Sequence, residues 1–83
     1  MQLTYTEIWN GIEHLAESKG LSLSGLAVKA GLDPTSFNRS KRVASDGRKR
    51  WPSTESMNKI LQATNTTIFE FMELAGEPYQ PKP

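Results

Sequence analysis

The sequence predicts an all-α domain of five short helices. Apolar residues recur at three- and four-residue spacing in five separate stretches. Each stretch opens on a residue whose side-chain oxygen can accept an orphan backbone N–H: Thr4, Ser22, Asp33, Ser53 and Thr67. Gly20, Gly31 and Gly76 then stand where helices should stop. Only residues 43–52 alternate like a strand, and they do so weakly.

The first helix begins at a capping box. Thr4 and Glu7 are spaced to bond each other's exposed N–H groups. The helix is predicted to run to about Lys19. Its apolar stripe is Tyr5, Ile8, Ile12, Leu15 and Ala16, with Trp9 beside it. Residues 1–3 are expected to fray. The polar face carries Glu13, Glu17 and Lys19, an acidic set unsuited to a phosphate backbone.

Leu21 is placed to pack where the chain enters the second helix. Ser22 caps that helix, and Leu26, Ala27 and Ala30 share one face. Gly31 ends it, because the residue after a helix usually turns left-handed and glycine does so without steric cost. Leu32 can then drop inward at the corner. Asp33 caps a third helix, with Pro34 at its first position, where a missing N–H costs nothing. Phe37 is its apolar anchor. Ala27 is small where the two helices would cross.

Residues 43–52 follow, rich in Gly, Pro and charge. Asp46-Gly47 is a turn signal of the kind that closes a two-residue hairpin. A long loop or stub hairpin is expected there, and unusual loops often carry function. Trp51 is read as the anchor that packs this loop onto the body, with contact to a sugar or base as the alternative. Ser53 caps the fourth helix, to about Thr64, with Met57, Ile60, Leu61 and Thr64 inward. Thr67 and Glu70 form a second capping box, which opens a helix to Ala75. Its inner face is Ile68, Phe71, Met72 and Ala75, with Phe69 and Leu74 partly off it. Residues 77–83 hold three prolines and read as a tail or the start of a linker, so the domain is assigned to residues 1–76.

Eighty-three residues allow one domain with a thin core. With no cysteine, disulfides and thiolate metal sites are excluded, which fits a reducing cytoplasm. No stretch approaches a transmembrane span, so no membrane partner is expected. His14 and Glu17 lie one turn apart, but two ligands do not close a metal site. No metal or other cofactor is expected, and no small-molecule substrate is evident. One histidine and no carboxylate pair with a plausible pocket argue against an enzyme.

The net charge of +1 hides a division. Residues 29–50 hold seven basic and two acidic side chains, +5, and the rest of the chain carries −4. The positive charge falls on and just after the third predicted helix, as a nucleic-acid-binding face requires.

The corner built from Leu26, Ala27, Gly31, Leu32 and Phe37 resembles the helix-turn-helix of the phage-repressor-like (Cro/C1-type) DNA-binding family. Ala27, four before the turn glycine, is the most specific match. Ser40 departs from the pattern, since the family usually places a second apolar anchor three after Phe37, and Val43 is the candidate to supply that contact. The resemblance covers residues 5–75. The run from Leu32 to Arg42, followed by Asp46 to Ser56, further resembles the N-terminal domain of bacterial and phage repressors in which a peptidase-like domain of the LexA type follows. The prolines of 77–83 fit the start of an interdomain linker.

The resemblance implies a repressor that binds double-stranded DNA as a homodimer on a two-fold operator. The third helix would enter the major groove. Base contacts are then expected from Thr35, Ser36, Asn38 and Arg39, with Arg39 the candidate for a bidentate bond to guanine. Phosphate contacts are expected from Ser24, Lys41, Arg42, Arg48, Lys49, Arg50, Ser53 and Thr54. The alternative is a protein-interaction module on the same fold, antitoxin-like or regulator-binding.

Overall fold

The computed structural model describes residues 3–76, and they form an all-helical domain. The α-helices are α1 (Tyr5–Ser18), α2 (Leu23–Lys29), α3 (Thr54–Ala63) and α4 (Ile68–Gly76). A single 3-10 turn at Arg39–Lys41 lies between α2 and α3. Residues 77–83, assigned to a tail or linker, lie outside the described residues, as do residues 1 and 2. Leu3, expected to fray, packs partly against the core.

Local chemistry sets the helix ends. Thr4 Oγ1 accepts from the Glu7 amide at 3.0 Å and Glu7 Oε1 accepts from the Thr4 amide at 3.0 Å, so the first capping box closes. The second box closes in the same way between Thr67 and Glu70. Bonding to the Thr67 amide and then its hydroxyl holds the Glu70 carboxyl below its ordinary pKa. Ser22 and Ser53 cap α2 and α3 through the Gly25 and Ser56 amides.

Three helices end in one shared geometry. After α1, Gly20 donates to Glu17 O and Leu21 donates to Ala16 O. After α2, Gly31 donates to Val28 O and Leu32 donates to Ala27 O. After α3, Asn65 donates to Gln62 O and Thr66 donates to Leu61 O. This is the paired-bond ending in which the residue past the cap turns left-handed. Gly31 has φ +76°, and Asn65 takes the same region at φ 53°. The first two of these corners turn Leu21 and Leu32 back against the core.

The core is built from Trp9, Ile12, Leu15 and Ala16 of α1, Leu26 and Ala27 of α2, Phe37, Ile60 of α3, and Phe71 and Ala75 of α4. Trp9, read as flanking the stripe, is 4% exposed and central. On α4, Phe71 and Ala75 point inward, but Ile68 is 48% exposed and Leu74 packs against the core in its place. α1 and α4 make the most extensive helix pair. Gly11 lets them meet, since a Cβ there would lie 2.8 Å from Phe71 Cζ and 3.0 Å from Ala75 Cβ.

The expected third helix does not form as an α-helix. Ser36 donates to Asp33 O at 3.0 Å and Asn38 to Thr35 O at 3.1 Å, giving two successive turns. Asn38 is extended, with ψ 146°, and the 3-10 turn follows it. The cause is local competition with little packing to oppose it. The Asp33 carboxylate takes both the Thr35 amide and the Thr35 hydroxyl. Only Phe37 of this segment is buried, and Val43 is 48% exposed, so it does not replace the missing anchor at Ser40. One anchor gives a costly helix nucleus too little to recover.

Phe37→Ala should cost ~3–5 kcal/mol, the range for a large aromatic lost from a core. A thermal melt within a few degrees of the parent would contradict that burial. Gly11→Ala should also destabilise, by ~1–3 kcal/mol from overpacking, although alanine is the better helix former by ~1 kcal/mol. At roughly 4–8 °C per kcal/mol for a domain of this size, the lowered midpoint is readily measured.

Candidate nucleic-acid interface

The basic segment is tied to α1 by one side chain. Arg42 is only 13% exposed at its side chain. Its guanidinium carbon lies 4.7 Å from the centroid of the Trp9 ring, and Nη2 bonds Glu13 Oε1 at 3.0 Å. The Arg42 carbonyl accepts the Tyr5 hydroxyl and the Arg50 amide. Trp9 Nε1 donates to the Arg50 carbonyl at 3.1 Å. Two aromatic polar ends and one guanidinium thus hold both ends of the loop between residues 42 and 50. Arg42 was expected on phosphate. In the structure its charge is paired with Glu13 and its side chain is largely covered.

Between those ends the chain makes a stub hairpin. Ala44 donates to Arg48 O at 2.8 Å, Val43 bridges Lys49, and Gly47 donates to Ala44 O at 2.9 Å. Gly47 sits at φ +87°. The loop therefore has three residues with a left-handed glycine last, not the two-residue turn expected from Asp46-Gly47. Asp46 accepts the Arg48 amide and pairs with its guanidinium at 3.4 Å.

The expected base-contact residues occupy the turns before this hairpin. Thr35, Asn38 and Arg39 are exposed, and Ser36 is half-buried. The Thr35 hydroxyl donates to Asp33 at 2.6 Å. That bond, then the Thr35 amide, holds the Asp33 carboxyl below its ordinary pKa. Arg39 is 75% exposed at its side chain and leans on Glu13 at 3.3 Å. Glu13, read as part of the acidic polar face of α1, is 10% exposed at its side chain and serves both arginines.

Of the expected phosphate contacts, Lys41, Arg48, Lys49, Arg50, Ser24, Ser53 and Thr54 are exposed. Lys49 Nζ stands 5.3 Å from the centroid of the Tyr5 ring. Lys41, Arg50, Ser36 and Ser53 meet around one shallow concavity of about 260 Å³, with Trp51 and Pro52 also on its wall. Ser24 lies on α2, which contributes nothing to that concavity. Trp51, expected to pack the loop onto the body, is 53% exposed and touches Tyr5 edge-to-face at 5.8 Å. The packing role belongs to Trp9. The signal for that was present in the sequence: Trp9 sits one position from Ile8 on the amphipathic helix, whereas Trp51 lies in a loop beside three cations.

Among the described residues no group of three or more His, Cys, Asp or Glu side chains is placed to hold a metal ion. No helix among them is long and apolar enough to cross a membrane.

Glu13→Ala should unfold the segment more readily than Arg39→Ala. Removing Glu13 leaves the covered Arg42 charge unpaired, which should cost toward the lower end of the ~3–5 kcal/mol seen for broken buried pairs. Arg39→Ala removes only a solvent-screened contact and should change stability by under ~1 kcal/mol. Equal midpoints for the two variants in urea would show that the Arg42–Glu13 pair holds nothing.

No protein-family model, no curated protein and no solved structure matches the chain.

Proposed function

We propose that the chain is a sequence-specific double-stranded DNA-binding domain of a transcriptional regulator, acting as a repressor domain on a two-fold operator. One observation carries the reading. Lys41 and Arg50 are exposed around one concavity, Lys49 stands beside the Tyr5 ring that adjoins it, and the loop between residues 42 and 50 is pinned at both ends. A fixed, cationic, hydroxyl-bearing surface suits a phosphate backbone, because little ordering is needed on binding. The likeness of the Leu26, Ala27, Gly31, Leu32, Phe37 corner to phage-repressor-like domains supports the same reading.

The mode of contact differs from a helix laid in the groove. The segment available is two turns and a 3-10 turn, so base contact in this proposal comes from Asn38 and Arg39 at their junction. Arg39 must leave Glu13 to reach a base, which its 75% exposure allows. A guanidinium freed there offers two parallel donors to guanine O6 and N7. Thr35 and Ser36 serve as nearby polar contacts, and Lys41, Arg48, Lys49, Arg50, Ser53 and Thr54 as phosphate contacts. The interaction-module reading draws on a different surface. Phe69 is 75% and Ile68 48% exposed on α4, an apolar pair that a protein partner could cover.

Selecting bound sequences from random duplex DNA separates the two. The DNA-binding reading expects a two-fold consensus. On that site Arg39→Ala should cost roughly 1–3 kcal/mol, with much less loss on random duplex. Changing Arg48, Lys49 and Arg50 together to Ala should weaken all duplexes alike and flatten the salt dependence, by about 0.9 in log–log slope per lost phosphate contact. No preferred sequence, tested with two copies covalently joined, would favour the interaction module.

A further inference from the structure

Trp51 is a large aromatic that the fold does not use as core, and, unlike Phe69 on α4, it lies among the cations. It is 53% exposed, whereas Trp9 is 4% exposed. Leaving so much apolar indole in water forgoes burial that would otherwise stabilise the fold. Yet the indole is held in place. Its ring meets Tyr5 edge-on, with planes at 73°, and the Tyr5 hydroxyl is bonded to the Arg42 carbonyl. The carbonyl of the preceding residue, Arg50, is bonded to Trp9 Nε1. The following residue is Pro52, whose ring fixes its own φ. The surroundings are cationic and polar: Lys41, Arg50, Ser36 and Ser53 share its concavity, and Lys49 stands over the Tyr5 ring that Trp51 touches.

We infer that Trp51 contacts the sugar–phosphate backbone of duplex DNA, its indole laid against a deoxyribose between phosphates held by Lys41, Lys49 and Arg50. The inference rests on the DNA-binding reading and assigns that surface an apolar contact the cations do not provide. A deoxyribose presents C–H groups to solvent beside two anionic phosphates. A rigid indole ringed by cations complements that pattern. A base would have to leave its stack to meet the indole, at a cost of a few kcal/mol per step, while a sugar need not move. The contact is therefore independent of sequence.

The test compares the full chain with Trp51→Ala and Trp51→Phe on the selected operator and on random duplex, across a salt series. Trp51→Ala should weaken both duplexes by about ten-fold, the loss expected when a few tens of Å² of apolar contact are removed. The log–log salt slope should stay unchanged, because no phosphate contact is lost. Trp51→Phe should recover most of the affinity. DNA should also shift the tryptophan emission of the parent but not of Trp51→Phe, whose remaining Trp9 is buried. Unchanged affinity of Trp51→Ala, with the parent still binding, overturns the inference and leaves the DNA reading standing. A reduced salt slope also overturns it, since Trp51 would then act only by placing cations. A loss that disappears when two copies are covalently joined places Trp51 between chains, which overturns it too. A parent that binds no duplex overturns the reading and this inference together.

Discussion

The arrangement depends on the Arg42 side chain. Residues 33–52 contribute a single buried side chain to the core, Phe37. Apolar burial alone therefore leaves most of this segment untethered. The Arg42 guanidinium lies over the Trp9 ring and pairs with Glu13, while the backbone carbonyl of the same residue takes the Tyr5 hydroxyl and the Arg50 amide. A guanidinium suits this position, being planar enough to lie on an indole while still donating at its edge. Desolvating the ion pair costs free energy, so its contribution is as much to geometry as to stability. Without it the turns around Asn38 and Arg39 and the hairpin at residues 43–49 would rely for their frame on the Phe37–Trp9 contact and on the Tyr5 and Trp9 hydrogen bonds to backbone carbonyls.

The rest of the fold is an economy of corners and small residues. Three helices end by the same left-handed exit, and two of those exits return a leucine to the core. A domain this small buries few side chains, so the partly buried Leu21 and Leu32 at the corners add to a thin core. Gly11 and Ala75 let α1 and α4 approach closely, and Ala27 lies fully buried on α2. The polar anchoring of the basic segment and the apolar packing of α1 against α4 thus use different faces of α1. That division leaves the cationic loop free of any packing duty except through Arg42 and its neighbours.

Charge and structure agree on where the cations gather but not on how each is used. Of the seven basic residues within residues 29–50, Lys29 stands apart on α2, and the other six fall between residues 39 and 50. Arg42 is covered, Arg48 is paired with Asp46, and Arg39 leans on Glu13. Lys41, Lys49 and Arg50 remain on the surface around the aromatic pair Tyr5 and Trp51. A cluster that looks uniform as a string is therefore divided by its partners into an anchor, a screened pair and an exposed set.

The sequence by itself determined the helices whose ends are chemical. Both capping boxes, the Ser22 and Ser53 caps and the exits at Gly20 and Gly31 were legible, because each depends on residues close together in the chain, none of them bonding across more than five positions. The stub hairpin was legible for the same reason, though its loop length was not. The candidate surface was legible as charge, and the exposed positions Asn38, Arg39, Lys41, Lys49 and Arg50 were all named from the string. Tertiary structure decided everything that turned on a distant partner. It put Trp9 rather than Trp51 in the packed position, since burial depends on what lies opposite and not on side-chain size. It moved Arg42 inward, since Trp9 and Glu13 are more than twenty-five positions away in the chain. It also replaced the third helix with turns. Local pattern gave that segment a helical start at Asp33-Pro34, but a helix needs an inward face longer than one residue, and only the assembled core shows that Phe37 stands alone.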